Sequence, residues 1–341
     1  MWSPLASASL VFLLLYLCLF TVLSTLFFQR KVVWKSRWLV LLLHVLVRLA
    51  SQACGLSFGI IGYRNIDLLV AYYVLGAEGY FTLVVCTSRF LIAWQRNHWG
   101  FSWLEPTDPA QERAGWRKRC QRLFRWRSSS NDGRPSSNKW MVLVDWLLVG
   151  ANAIIISGGS LSSAAYTDSD LTPSQVESRL HAARGMRAAG QAVFLAINTA
   201  LLVCIAVTMH QHRRHRFDTT APRNSESVNP IKEKDRQEPL DTDSSPQTRR
   251  PWFAHPILLM LLIAWPFLIV RGIFGVLQAV IPDLNYFNSE VYDANGLTQQ
   301  FVTEETCMVT MMEFISATIL TSTYFASRSE PHRRTNYSNT A

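Results

Sequence analysis

Two ionisable side chains stand in stretches that are otherwise apolar. Arg271 lies near the middle of the run 256–281, and Glu313 lies within the run Cys307–Ala326. Other polar residues recur at helical spacing inside similar runs. His44, Arg48 and Gln52 are four residues apart, and Asp67, Glu78 and Arg89 are eleven apart. Asp145 and Asn152 are seven apart, and Arg187, Gln191 and Asn198 share one helical face. Arg271 with Gln278, and Thr306 and Thr310 with Glu313, complete the set. A carboxyl group in an apolar cavity has chemistry of its own, because burial raises its pKa and makes it an acid able to protonate an alkene or epoxide. A carboxylate beside an arginine stays ionised instead and acts as a lock between helices.

These residues need helices to hold them, and the apolar runs provide helices that cross a membrane. About 20 apolar residues at a rise of about 1.5 Å each cover the hydrocarbon thickness. The pattern predicts an all-α, polytopic bundle of about seven spans at 8–28, 38–62, 66–94, 140–164, 183–208, 256–281 and 305–326. The first run has no basic stretch before it, and its cations, Arg30, Lys31, Lys35 and Arg37, come after it. It therefore reads as a retained span and not as a cleaved signal peptide.

The charges fall in the links. The net charge is +9, with Lys and Arg concentrated in Gln29–Arg37, Gln95–Lys139, His210–Arg250 and Arg328–Ala341. The alternate links are neutral or acidic: one surrounds Arg64, and the others are Thr167–His181 and Pro282–Glu304. The positive-inside rule then places the amino terminus outside and the carboxyl terminus in the cytosol. It also accounts for the positive charge without nucleic-acid binding. Trp34, Trp38, Trp94, Trp140 and Trp252 are expected to form an aromatic belt at the cytosolic boundary. The chain divides into 1–209, with five spans and a basic cytosolic loop at 95–139; a disordered cytosolic loop at 210–250; two spans in 251–328; and a cytosolic tail at 329–341.

Depth along each span pairs the charges. Arg48 and Glu78 fall near mid-membrane, and Arg89 and Asp145 within about two turns of the cytosolic face. Arg271 and Glu313 lie roughly 15 Å below the outer boundary. Three interhelical pairs are expected: Arg48–Glu78, Arg89–Asp145 and Arg271–Glu313. Each either locks helix register or borders a cavity. Pro266 interrupts the sixth span, either as a tolerated kink or as a source of free backbone lining such a cavity.

In Gln111–Arg127, Trp116, Cys120, Leu123 and Phe124 recur at helical spacing between Arg117, Lys118, Arg122 and Arg125. That pattern suits a helix lying on anionic inner-leaflet lipid, with a partner-protein or calmodulin-like site as the alternative. His210, His212 and His215 read as a cationic helix end, with metal binding as the sharper alternative. Six cysteines show no CxxC spacing and no pair in outer links, so neither a disulfide framework nor a structural metal is expected. No cofactor is implied. The sequon Asn336-Tyr337-Ser338 falls in the cytosolic tail.

The run AWPFLIVRGIFGVLQ, followed by Phe287-Asn288, Gly296 and Met312-Glu313-Phe314, resembles the end of a fungal family of seven-helix integral-membrane proteins. That family is known only as a domain of unknown function. A more distant likeness is to fungal lipid-translocating exporters, which carry Arg-x-Ile-Tyr-Arg-x-x-Glu. This chain keeps Arg271, Ile273 and an aromatic at Phe274, but has Gly275 and Gln278 at the last two positions.

Three functions follow as expectations. One is binding or handling a small lipophilic molecule or lipid, in a receptor-like role. Another is a membrane-embedded enzyme such as a cyclase of fungal secondary metabolism, with Glu78, Asp145 or Glu313 as its acid. The last is a non-catalytic accessory scaffold. No motif assigns a catalytic residue.

Overall fold

The computed structural model describes residues 2–32, 36–104, 139–167, 172–220, 255–286, 291–293 and 296–328. Seven helices account for nearly all of them: α1 (Pro4–Phe28), α2 (Arg37–Ile61), α3 (Ile66–Trp99), α4 (Lys139–Thr167), α5 (Pro173–Thr220), α6 (Pro256–Val280) and α7. The last is built in three joined pieces, α-helical over Gln299–Glu305, π-helical over Thr306–Met311 and α-helical over Met312–Arg328. Before α7, a two-stranded hairpin pairs β1 (Tyr292–Asp293) with β2 (Gly296–Leu297). Gly296, the first residue of β2, holds φ 127°, a conformation open to glycine and strained for other residues.

Local chemistry sets several ends. Ser3 caps α1, its Oγ accepting from the Ala6 amide at 3.2 Å, and Pro4 opens the helix where a missing N–H costs nothing. α3 stops at Gly100, whose left-handed conformation (φ 75°) lets its amide return to the Arg96 carbonyl. Pro266 lies inside α6 and deprives the Leu262 carbonyl of its helical donor.

Successive helices pack as antiparallel neighbours, and α3 sits at the centre, against α2, α4, α5, α6 and α7. Six helices are long and apolar enough to cross a membrane, and their outward faces carry large exposed apolar side chains such as Leu14, Leu43, Val149, Val203 and Ile263. An apolar exterior around polar interior stripes is what a lipid-facing bundle requires. The chain is a multi-pass membrane protein.

The structure departs from the expected spans and aromatic belt chiefly in α5, in α7 and at two tryptophans. α5 runs from Pro173 to Thr220, so it takes in much of the expected link before it and the first part of the loop expected from 210. α7 starts six residues before 305 and contains the π segment, which the apolar pattern alone does not reveal. Trp38 and Trp94 do not form a boundary belt. They are 6% and 1% exposed, and Trp38 packs edge-on against Phe90 and Tyr324 at 4.9 and 5.6 Å. Trp34, Trp252, the segment 111–127 with its basic and aromatic residues, and the sequon lie outside the described residues, as does the side chain of Trp140.

Candidate functional site

Glu313 is fully buried and binds two arginines at once. Its Oε1 lies 2.7 Å from Arg271 Nε, and its Oε2 lies 3.2 Å from Arg48 Nε. The triad ties α2, α6 and α7 together. Arg48 also donates from Nη2 to Thr310 Oγ1 at 3.1 Å, inside the π segment. Aromatic rings from two more helices flank the cations: Tyr16 of α1 lies 5.9 Å from the Arg48 guanidinium, and Tyr80 of α3 lies 5.3 Å from that of Arg271.

The expected Arg48–Glu78 pair is replaced by Arg48–Glu313. The reason is angular and not a matter of depth. α3 turns Gly79 toward the triad, where a Cβ would stand 2.7 Å from Arg48 Cδ. Glu78 is one position earlier, about 100° around the helix. It faces α4 and accepts from Asn152 Nδ2 at 2.6 Å. Arg89 Nη2 lies 3.6 Å from Asp145 Oδ2, a contact that is one-third exposed on the arginine and 44% on the aspartate, away from the interior. Asp67 is exposed, so the eleven-residue stripe of α3 is not an interior face.

The remaining stripe residues are buried. His44 Nδ1 contacts the Gly79 carbonyl and Thr82 Oγ1, both at 3.0 Å, and Gln52 is 1% exposed. Asn198 is fully buried, and its carbonyl accepts from Trp265 Nε1 at 3.0 Å. Gln191 sits against α6 where Gly275 lacks a side chain; a Cβ there would stand 2.6 Å from its Oε1. Arg187 grips Asn285 Oδ1 with both terminal nitrogens at 3.1 Å. Gln278 Nε2 donates to Tyr286 Oη at 2.8 Å.

Sequence reasoning passed over Glu305 and the tyrosines around it. Glu305 is 5% exposed and accepts from Tyr286 Oη at 3.2 Å, while its second carboxylate oxygen has no hydrogen-bond partner. Loss of hydration, with the Glu305 charge beside it, holds the Tyr286 phenol well above its usual range, so it remains a donor. The Tyr286 ring lies against Tyr73, tilted by 36° with centroids 3.7 Å apart. Glu305 escaped notice because it is the last of three closely spaced glutamates or polar residues at an expected span boundary, where a charge is ordinary. Thr303–Glu304–Glu305 reads as a solvated turn.

The segment after α6 closes this end of the bundle. Tyr63 Oη lies 2.8 Å from the Asp293 carbonyl and 3.0 Å from the Gly296 carbonyl, which share its one proton, and Tyr292 Oη donates to the Tyr286 carbonyl at 2.6 Å. Leu5, Phe58, Leu69, Val291, Leu297 and Phe301 form a second apolar core beneath the hairpin. Beside it, between the start of α1 and α7, lies an open groove of about 540 Å³, walled by Trp2, Ser7, Gln299, Thr303, Thr306 and Cys307 among others.

Among the described residues no three His, Cys, Asp or Glu side chains are arranged to hold a metal ion, and the described cysteines, Cys18, Cys54, Cys86, Cys204 and Cys307, are free thiols. No protein-family model matches the chain, and no curated protein or solved structure is similar to it. What the site does must therefore be read from its own geometry: a multi-pass membrane bundle with an ionic core of two arginines on one glutamate, a buried carboxyl group above it and a groove at its hairpin end.

Proposed function

We infer that the protein is a seven-span membrane protein that binds a small lipophilic molecule or lipid in the groove between α1 and α7. α7 is the seventh span, and the hairpin end faces outside, as the charge of the links requires. The groove carries the reading. Its 540 Å³ is within the range of small-molecule sites, and its wall combines apolar surface with the hydroxyls of Ser7, Thr303 and Thr306. Thr306 opens the π segment, which leads inward to Thr310 and the triad, and single π segments recur at functional sites. A ligand seated in the groove thus touches the piece of α7 that holds Arg48. Arg271 and Glu313, two of the residues that carry the resemblance to the fungal seven-helix family, build that same core.

The test is mass spectrometry of lipophiles that co-purify with the protein, compared with Thr306→Trp, which fills the groove. A species enriched over an unrelated membrane protein and lost from Thr306→Trp supports the reading. A bulk-lipid profile, or one unchanged by the substitution, removes it.

A membrane-embedded enzyme is the second reading, and Glu305 favours it. Its carboxyl group is buried and lacks the ion pairs with arginine that Glu313 makes. Under this reading Glu305, and not Glu78, Asp145 or Glu313, is the acid. Glu305→Gln then retains the bound species and abolishes its conversion, whereas Thr306→Trp abolishes both.

A further inference from the structure

At the end of the bundle opposite the hairpin, three imidazoles from three helices gather around one indole. His98 of α3 stacks on Trp94 at 4.4 Å and 14°. His255, the residue that caps α6, meets Trp94 edge-on at 4.9 Å and His98 at 4.1 Å. His212 of α5 stands edge-on to Trp94, His255 and His98 at 5.3, 5.6 and 6.3 Å.

The hydrogen bonds fix the tautomers of two of these rings. His98 Nδ1 lies 3.0 Å from the Trp94 carbonyl, which only accepts, so that nitrogen carries a proton. Trp94 Nε1 only donates, and it reaches His255 Nδ1 at 2.9 Å, so that nitrogen is the acceptor and His255 Nε2 carries the ring proton. His255 Nε2 then donates to His98 Nε2, the one acceptor left on that ring. Each of the four ring nitrogens thus has a partner. Two of the bonds cross between α3 and α6.

We propose that this cluster is a proton-sensitive latch between α3 and α6. A proton entering at His98 Nε2 faces the His255 N–H and breaks the imidazole–imidazole bond. A proton entering at His255 Nδ1 faces the Trp94 N–H and breaks the indole bond. Trp94 is 1% exposed and packed, so it cannot turn aside. One proton removes one cross-helix bond, and two remove both. His212 is the titratable group facing the pair from α5. Arg96 and Arg213 are the adjoining cations along α3 and α5, and the neighbouring polar contacts, Gln95 Nε2 to Thr208 Oγ1 and Ser102 Oγ to Gln95 Oε1, are uncharged. The latch is independent of the groove.

Spin labels at Asn97→Cys and Met260→Cys, with the native cysteines replaced, report the α3–α6 separation by pulsed dipolar spectroscopy. Samples at about pH 7.5 and about pH 5 bracket the ordinary imidazole range. The main distance moves to longer values on acidification. In His255→Phe, which lacks both cross-helix bonds, the longer distance is present at both pH values; His98→Phe, which lacks one, lies between. His212→Phe keeps the response. An unchanged distance in the unsubstituted cluster, or an equal response in His255→Phe, overturns the proposal. So does lengthening at neutral pH on adding a chelator, since that would mean a metal ion holds the rings.

Discussion

Gly79 and Glu313 approach so closely that a Cβ on the glycine would stand 2.6 Å from the carboxylate Oε2. The central helix thus contributes to the ionic core by having no side chain there. Arg48 passes over the same glycine to reach the carboxylate, and the bare backbone makes room for its stem.

Gly79→Ala is expected to destabilise the bundle by about 1–3 kcal/mol, the usual cost of overpacking a filled interior. Gly76→Ala is the control, since its Cβ meets only Arg48 Nη1, at an ordinary 3.5 Å. Thermal unfolding in detergent measures both, and equal melting temperatures for the two variants contradict the close approach.

Removing the shared carboxylate leaves two buried guanidiniums without a counter-charge. Glu313→Ala is expected to cost about 3–5 kcal/mol, as for breaking a buried pair. Glu78→Gln is expected to cost much less, because Glu78 is only partly buried and bonded to a neutral amide. Equilibrium unfolding separates them, and a larger loss for Glu78→Gln restores the Arg48–Glu78 pairing.

Tyr63 holds the hairpin from the end of α2 through two backbone carbonyls. Tyr63→Phe removes the one proton that these carbonyls share, a bond worth about 0.5–1.5 kcal/mol. Amide exchange is expected to accelerate around Tyr292 and Leu297 and to stay unchanged in α3. Protection that persists in the hairpin shows that the apolar core beneath it suffices.

Arg187 uses two nitrogens of one guanidinium on Asn285. Lysine keeps the charge but cannot make that fork, so Arg187→Lys is expected to resemble Arg187→Ala in the exchange rates of the segment around Asn285. Full protection in the lysine variant means that charge alone holds the segment.

Much of the architecture was legible because a bilayer imposes simple rules. Apolar length announces each span, and polar side chains within a span turn inward, so Arg48, Arg271, Gln278 and Glu313 were recognisable as interior residues before any contact was known. Partner choice was less accessible. Depth along an axis is one coordinate, and a contact also needs rotation about that axis and the course of a third helix. Arg48 and Glu78 share a depth, yet one residue of rotation gives Gly79 to the triad and Glu78 to Asn152. Trp38 and Trp94 likewise sit at the depth of a boundary belt but point into the core.

The sequence by itself determined the membrane class, the order of the helices and the inward faces of most of them, α3 excepted, because these depend on composition and period within one segment. Only the tertiary structure decided that one glutamate serves two arginines, that α7 admits a π segment where Thr310 meets Arg48, and that Glu305 is enclosed by tyrosines beneath a hairpin. It likewise brought His98, His212 and His255 together from three separate stretches of the chain. Each of these joins side chains from different helices, and the angles at which helices pack are set by all their contacts at once, not by any one stretch of the chain.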